Sequence, residues 1–318
     1  MARLLVFTDR SPDDLEWKGA FAWDLIRSLA ESQHQVLVLT TEDLDHVDVT
    51  HPRLTVARPA RSWSLAYLPK FLQAILMFQP EVICTLSPSK GSHIKGFTIW
   101  PYLDAALTVM PKIQRFSTLF ESRDVEDNPS AMAWHRGSKS CVVFTSRQRQ
   151  DLREKHAGDI LISPFEMNLP NKERVSSPYS YVIVPAPVSE WTERGKNLQA
   201  LRDYLLENPI LHARINGGWG SLPAAEKRSA WQALMPVADR VHLLDALTWP
   251  EIVAEARGAD GFWLEGVRAD SWRDVVSRFA AMQLGKSLPE NRPALPAGST
   301  ANFLSRVFAG TFEPWLTP

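Results

Sequence analysis

Short apolar runs alternate with amphipathic segments along the first half of the chain. Apolar residues recur at helical spacing from Phe21 to Leu29, and a second helix is predicted over Ser146–Lys155, with Ser146 as its N-cap. Strand-like runs lie at Leu4–Phe7, Gln35–Thr40, Val82–Leu86, Ile113–Phe120 and Cys141–Thr145. The pattern predicts a β-α-β unit that opens a first domain ending near Ile162.

The second half alternates more regularly between strands and helices. Strands are predicted at Tyr181–Val184, His212–Ile215, Val241–Leu244 and Gly261–Leu264. Helices are predicted at Asn197–Leu206, Ala224–Leu234, Pro250–Ala256 and Ser271–Leu284. Strands that alternate with helices of this length are typical of a parallel sheet, so a Rossmann-like domain is expected.

The length of 318 residues favours two domains. Between the two patterns, Pro164–Pro178 contains three prolines and little periodicity, which is typical of a connection. We therefore expect an N-terminal domain over residues 1–165 and a C-terminal domain over 166–298. Residues 299–318 form a helix and tail, with Ser299 as the N-cap candidate, and are expected to return toward the N-terminal domain.

Composition narrows the function classes. The 35 basic and 36 acidic residues give a formal net charge of −1, which offers no general attraction to nucleic acid or to an anionic membrane. Cys84 and Cys141 lie inside apolar runs, as buried free thiols do. No segment has the pattern of a secretion signal or a membrane span, so the cytoplasm is the expected compartment. The histidines show no metal spacing, so no metal site is expected.

Ligands of open parallel sheets bind beyond the carboxyl ends of the strands, so the loops there are the candidate sites. After the first strand, Gly19 opens a helix whose amides would receive an anion, unless the glycine only permits a tight turn. The loop Ser87–His93 is rich in hydrogen-bond donors, including Ser87, Lys90 and His93, but its order fails the P-loop pattern. A simple solvated loop is the alternative there.

The strongest ligand signal follows the strand Tyr181–Val184. Arg194 and Lys196 flank Gly195 at the start of a helix, so two cations coincide with the positive end of the helix dipole. This arrangement suits a diphosphate. An ordinary charged turn is the alternative.

Glycines and tryptophans mark the remaining loops. Gly217 and Gly218 lack a Cβ, so a ligand or a neighbouring backbone can approach them closely. Trp191, Trp219 and Trp272 would stack on a base or sugar, or would cover the end of the sheet instead.

Several segments together resemble the retaining GT-B glycosyltransferases of family four, over most of the chain. The resemblance rests on the segments His34–Thr40, Val142–Ser146, Ile160–Ile162, Lys196–Leu198, Val241–Leu244, Trp249–Ile252, Ala259–Asp260 and Ala281–Lys286. It implies an α/β protein with the GT-B architecture, in which two Rossmann-like domains face a central cleft. The two glutamates of the family's E-x7-E motif are missing, because their positions fall on Trp272 and Ala280.

The resemblance also implies a function. A sugar would pass from a nucleotide-sugar donor to a glycan, a lipid-linked or a protein acceptor, with no permanently bound cofactor. Arg194, Lys196, Gly217, Gly218 and Trp272 would bind the donor. The acceptor or sugar side would include Gly19, Ser87, Lys90, His93 and Glu121, since Phe120-Glu121 replaces the family's His-Asp.

The missing glutamates leave the catalytic residues, the nucleotide and the stereochemical course open. A second hypothesis is therefore a non-catalytic GT-B protein that binds a glycan or nucleotide, or scaffolds a protein partner in surface-polysaccharide assembly. A hydrolase or epimerase on the same fold is a third class, because a fold alone does not determine a reaction.

Overall fold

The structure is a computed structural model. It describes residues 1–43, 50–86, 99–110, 112–118, 134, 137–154, 156, 158–191, 193–288, 292, 295–296 and 298–309. Its strands are β1 (Arg3–Phe7), β2 (Gln35–Leu39), β3 (Leu54–Ala57), β4 (Val82–Leu86), β5 (Gln114–Thr118), β6 (Ser140–Val143), β7 (Asp159–Ile162), β8 (Tyr181–Val184), β9 (His212–Asn216), β10 (Val241–Leu244) and β11 (Gly261–Phe262).

The described helices are α1 (Lys18–Glu31), α2 (Leu68–Phe78), α3 (Trp100–Thr108), α4 (Ser146–Leu152), α5 (Arg194–Glu207), α6 (Ala224–Leu234), α7 (Trp249–Gly258), α8 (Trp272–Gln283) and α9 (Thr300–Phe308). Short 3-10 turns lie at Leu65–Tyr67, Val188–Glu190 and Met235–Arg240. Within the described ranges, no helix is long and apolar enough to cross a membrane.

The chain divides into two compact units. Unit 1 comprises residues 1–12, 18–167 and 296–318, and unit 2 comprises residues 13–17 and 168–295. Unit 2 therefore contains a five-residue segment, Asp13–Trp17, that lies between β1 and α1 in the sequence.

Unit 1 contains a seven-stranded parallel sheet in the order β3-β2-β1-β4-β5-β6-β7. The interior strand β1 pairs with β2 and β4, so Leu5 lies beside both Leu37 and Ile83. All three side chains are buried, as expected for a parallel sheet that is covered on both faces. Helix α9 packs on α1, and the Thr300 hydroxyl donates to the carbonyl of Pro164 at 2.9 Å.

Unit 2 contains a four-stranded parallel sheet in the order β10-β9-β8-β11. Each strand is followed by a helix, which places the helix N-termini on the side of the strand carboxyl ends. The two parallel sheets confirm the predicted α/β class with Rossmann-like domains.

The structure corrects several predicted elements. Strand β3 and helices α2 and α3 were not predicted. Thr145, not Ser146, is the N-cap of α4, because the extended Thr145 accepts from the Gln148 amide and the Gln148 side chain accepts from the Thr145 amide. Helix α5 begins at Arg194, three residues before the predicted start, so the basic residues lie within its first turn.

Both cysteines are buried and free, as predicted. Burial raises the pKa of the Cys84 thiol to about 12 and also raises that of Cys141. Neither thiol therefore has the character of a reactive nucleophile.

Candidate functional site

The loops at the carboxyl ends of β8, β9 and β10 are held together by one buried side chain. Asn216, the last residue of β9, donates to the carbonyl of Pro185 at 2.7 Å and accepts from the amide of Leu247 at 2.9 Å. Its side-chain amide thus joins the loop after β8 to the loop after β10. The carboxyl edge of unit 2 is therefore a connected rim with a fixed backbone.

The two cations in the first turn of α5, Arg194 and Lys196, have different surroundings. The Arg194 guanidinium donates to the carbonyls of Val188 at 2.9 Å and Ser189 at 3.1 Å, and it pairs with Glu226. Lys196 is 78% exposed, and its ammonium lies 3.1 Å from the exposed carboxylate of Glu193. Such an exposed pair is worth little, so Lys196 remains accessible to an anionic ligand.

The backbone at Gly195 is open, whereas that at Gly217 and Gly218 is closely packed. A Cβ at Gly195 would meet nothing within 4 Å. A Cβ at Gly217 would lie 2.9 Å from the Cα of Ala246, and one at Gly218 would lie 2.5 Å from Pro187. Both glycines have positive φ, at 59° and 77°. Ala246 therefore fills the space beside Gly217, and Pro187, Val188 and Ser189 fill the space beside Gly218.

The three tryptophans of the ligand-side loops differ in exposure. Trp191 is 5% exposed, lies against Trp263 with ring centroids 5.3 Å apart, and donates to the carbonyl of Ala186. Trp272 is 1% exposed. Trp219 is half-buried and contacts Trp231, which is 42% exposed, in an edge-to-face arrangement. Of the three, Trp219 offers the most ring surface to a ligand.

The two positions that the sequence resemblance aligns with the family's glutamates are buried. Trp272 and Ala280 are both on α8 and are buried at 1% and 2% exposure. Ala280 lines a small apolar pocket of unit 2 together with Trp17, Trp249, Ile252, Val253, Phe262 and Ser277. Ala280, which stands at one of these two positions, therefore lies in apolar surroundings.

Charged side chains lie on α8 and beside it, and the sequence analysis missed Asp274, Arg278 and Arg292. Arg278 is 1% exposed and lies 2.9 Å from Asp270 and 3.0 Å from Asp274. Arg292 lies 3.5 Å from Asp274 and donates to two carbonyls in the loop after β11. We call Asp270, Asp274, Arg278 and Arg292 the ionic network. The Asp274–Arg278 spacing of four residues on a predicted helix was the signal available.

Two opposing influences act on the pKa of the Asp274 carboxyl. Burial raises the pKa of the Asp274 carboxyl, while Arg278 and Arg292 oppose that rise. Asp270 has a φ of 58°, which is unusual for a residue with a side chain. The network therefore holds the loop after β11 in a strained conformation at the N-terminus of α8.

In unit 1, the candidate Gly19 faces a backbone carbonyl. A Cβ at this position would lie 1.7 Å from the carbonyl oxygen of Ser11, so only glycine fits. The candidates Ser87, Lys90, His93 and Glu121 lie outside the described residues. Asp9, which the sequence analysis missed although it lies only two residues after β1, is 6% exposed and accepts a hydrogen bond from the indole of Trp63 at 3.2 Å.

No group of three or more histidine, cysteine, aspartate or glutamate side chains with metal-binding geometry occurs among the described residues. The candidate chemistry on the rim of unit 2 therefore consists of cations, backbone amides and aromatic surfaces.

No protein-family model and no curated protein matches this chain. Solved structures do match. Anabaena Alr3699/HepE in complex with UDP-glucose has a TM-score of 0.59 at 12% identity, covering 98% of this chain and 89% of that chain. The apo form of the lipopolysaccharide outer core galactosyltransferase WaaB has a TM-score of 0.57 at 14% identity, covering 98% and 92%.

The UDP-GlcNAc 2-epimerase from Methanocaldococcus jannaschii is similar over 97% of this chain and 99% of its own, with a TM-score of 0.55 at 10% identity. A galactosyltransferase and an epimerase thus share this architecture, and at such identities the likeness shows the fold. The chain has the GT-B fold, built from two parallel-sheet Rossmann-like domains.

Proposed function

We propose that this chain transfers a sugar from a nucleotide-sugar donor to a glycan, a lipid-linked or a protein acceptor. The observation that carries the proposal is the exposed ammonium of Lys196 in the first turn of α5, beside the open backbone of Gly195. An anion placed there meets a lysine and the positive end of a 14-residue helix. A donor diphosphate has the matching charge.

The other donor-side candidates have supporting roles in this proposal. Arg194 holds the turn through the carbonyls of Val188 and Ser189, so Lys196 supplies most of the accessible charge. The loop at Gly217 and Gly218 would lie beside the nucleoside. Trp272 has almost no exposed surface, so it would pack beneath the donor loop instead of stacking on the base.

Such a site stabilises the negative charge that develops on the leaving diphosphate, which is often the largest contribution to catalysis. Gly19, Ser87, Lys90, His93 and Glu121 remain our candidates on the acceptor side. The proposal requires no permanently bound cofactor, and it places the protein in the cytoplasm, where nucleotide sugars are the donors. Membership of the retaining family four is part of the same proposal.

A second candidate function is a non-catalytic GT-B protein that binds a glycan or nucleotide, or scaffolds a partner in surface-polysaccharide assembly. The specific observation that favours it is the burial of Trp272 and Ala280 at the positions of the family's two glutamates. Binding without turnover would distinguish this candidate from the enzyme.

The test is calorimetric titration with a panel of UDP-, GDP- and ADP-sugars, followed by assay of donor turnover with those that bind. Lys196→Ala should weaken binding of the preferred donor by about 1 to 3 kcal/mol, the scale of a hydrogen bond to a charged group. Lys172→Ala is the matched control, because Lys172 is also an exposed lysine of unit 2 but lies before β8, outside the loops that follow the strands.

Three outcomes decide the matter. Turnover that is weakened by Lys196→Ala but not by Lys172→Ala supports the transferase proposal. Binding of a nucleotide sugar with no turnover in the presence of acceptors supports the second candidate. If no nucleotide produces heat or a thermal shift, the result counts against the transferase and against a non-catalytic protein that binds a nucleotide.

A further inference from the structure

A buried arginine at the start of α8 has an incomplete set of hydrogen bonds. Arg273 is 7% exposed, and its Nε and Nη2 atoms donate to the two carboxylate oxygens of Glu190 at 2.7 and 3.2 Å. Nη2 also donates to the carbonyl of Leu15 at 2.9 Å, and Cζ lies 4.6 Å from the centroid of the Trp17 ring. Hydrogen bonds therefore hold the Nε–Nη2 edge of the guanidinium, and the Trp17 ring contacts one of its faces.

The opposite edge carries a donor with no acceptor. Among the described residues, no atom accepts a hydrogen bond from Nη1 of Arg273, although this nitrogen is shielded from solvent. An arginine keeps its charge at every physiological pH, so the group cannot escape the penalty by losing a proton. A buried charged donor without an acceptor is destabilising, and in native proteins it commonly marks a place for a water, an ion or a ligand.

Arg273 lies on the ligand side of unit 2. It is the second residue of α8, which follows the loop after β11, and Glu190 belongs to the 3-10 turn after β8. Helix N-termini and strand carboxyl ends share this edge of the sheet, where open α/β domains bind ligands. Arg273 therefore belongs to the first turn of a 12-residue helix, at the positive end of the helix dipole.

The segment Asp13–Trp17 holds the guanidinium in place before any ligand arrives. Trp17 is completely buried with a φ of 64°, and its indole donates to the carbonyl of Leu247 at 3.0 Å. Its ring also contacts Trp249 at a centroid distance of 5.9 Å. A tryptophan at positive φ persists only when its surroundings fix it, so this face of Arg273 is rigid.

We propose that Arg273 is an anion-binding residue whose Nη1 donates to a phosphoryl oxygen of the ligand. In the proposed function, on which the identity of this ligand rests, the oxygen belongs to the donor diphosphate. Sequence analysis assigned that group to Arg194 and Lys196, but Arg194 is engaged by backbone carbonyls and Glu226. Arg273 supplies a second, preorganised cation with an available N–H group.

Nearby carboxylates set the strength of this site. Glu190 orients the guanidinium but also offsets its charge, and its side chain is 48% exposed. Asp13 and Glu16 of the segment Asp13–Trp17 are exposed, so water screens their charge. The arrangement therefore disfavours weak monovalent anions and favours a ligand that adds other contacts.

Arg273→Met tests the site, with inorganic pyrophosphate and UDP as separate titrants on the full chain. Binding of both should fall by about ten-fold or more, the scale of one hydrogen bond between charged groups. Arg240→Met is the matched control, because Arg240 donates to the carbonyls of Leu205, Asn208 and Leu211 at the opposite edge of unit 2. Arg240→Met should lower the thermal midpoint without changing either affinity.

Glu190→Gln keeps an acceptor for Arg273 while it removes the countercharge. Pyrophosphate affinity should then rise several-fold at low salt, and high salt should abolish most of that rise. A purely structural Arg273 would give the opposite pattern, in which Glu190→Gln lowers stability and leaves affinity unchanged. This variant keeps the proposal testable if Arg273→Met does not fold.

The outcomes separate this proposal from the proposed function. If the unaltered chain binds UDP and Arg273→Met binds it equally well, the Arg273 site is wrong while the function stands. If no nucleotide binds but pyrophosphate binding depends on Arg273, the anion site stands while the function fails. If neither pyrophosphate nor UDP binds to the unaltered chain, the Arg273 proposal is wrong.

Discussion

Beside the sheet of unit 1 lies a group of contacting aromatic rings, whereas unit 2 buries pairs of opposite charge against its smaller sheet. The aromatic cluster consists of Phe7, Trp63, Phe71, Trp100 and Trp134, with ring centroids of successive neighbours about 5 to 6 Å apart. In unit 2, Arg278 reaches Asp270 and Asp274, and Arg214 lies 2.9 Å from Glu255.

Buried aromatic rings and buried ion pairs contribute to a fold in different ways. Aromatic burial removes apolar surface from water and does not depend on pH. Buried ion pairs add little net stability relative to apolar residues, but they penalise any arrangement that leaves one partner alone. We infer that unit 1 gains more stability from its buried side chains, and that unit 2 gains a defined loop geometry at the carboxyl edge of its sheet.

The largest expected effect is in the aromatic cluster. Trp100→Ala removes a ring that is 1% exposed and that contacts Phe7, Trp63 and Trp134. The free energy of unfolding should fall by about 4 kcal/mol, within the range for deletion of a buried Trp or Phe side chain. Tyr102→Ala, on the same helix but 47% exposed, is the control and should change stability by less than about 0.5 kcal/mol.

Urea unfolding followed by circular dichroism measures both variants, and the Trp100→Ala loss should be the same at pH 7 and pH 5. A loss comparable to that of Tyr102→Ala would show that the aromatic cluster does not stabilise unit 1.

The next effect is in the ionic network. Arg278→Met leaves Asp270 and Asp274 without their shared counter-ion, so the free energy of unfolding should fall by about 3 kcal/mol at pH 7. Arg202→Met breaks the more exposed pair with Asp203 and should cost less than about 1 kcal/mol. The comparison isolates the contribution of burial.

The pH dependence of this loss distinguishes charge from packing. Burial already raises the pKa of Asp274, and loss of Arg278 removes a group that opposes the rise. In the variant the folded state then binds a proton more readily than the unfolded state, so its stability increases as pH falls. A loss that is equal at pH 7 and pH 5 would indicate that Arg278 acts by packing alone.

The sequence predicted the fold better than it predicted the site, for a physical reason. Runs such as Leu4–Phe7 and Tyr181–Val184 report burial directly, and burial is what defines a strand in a parallel sheet. Strand β3, with a pattern of one buried, one exposed and two intermediate residues, lacks that signal because it lies at the sheet edge.

The site depends on contacts between residues that are distant in sequence. The position of Lys196 could be inferred from a glycine and a helix start, and it is exposed in the structure. No local pattern predicts that Arg194 is held by Glu226, or that Arg273 reaches both Glu190 and Leu15. Ordinary surface arginines have the same sequence signature.

The smallest expected effect concerns a histidine pair in unit 2. His212 Nδ1 lies 2.9 Å from His242 Nε2, and the Tyr179 ring stacks on both imidazoles. Burial lowers the pKa of His242 from 6.5, with further lowering by His212 and Arg214. The hydrogen bond between the rings also requires that at least one of them be neutral.

The sign of the pH effect follows from this lowered pKa. As pH falls below 6.5, the unfolded chain binds a proton that the folded His242 does not, so stability decreases until the folded pKa is passed. Burial raises the pKa of Glu255, and its protonation opposes the loss. His242→Gln removes the titrating group but keeps hydrogen-bonding capacity, so it should flatten the fall in urea midpoint between pH 7 and pH 5.5. An unchanged slope would assign the fall to other histidines, such as His34 of unit 1, whose pKa burial also lowers.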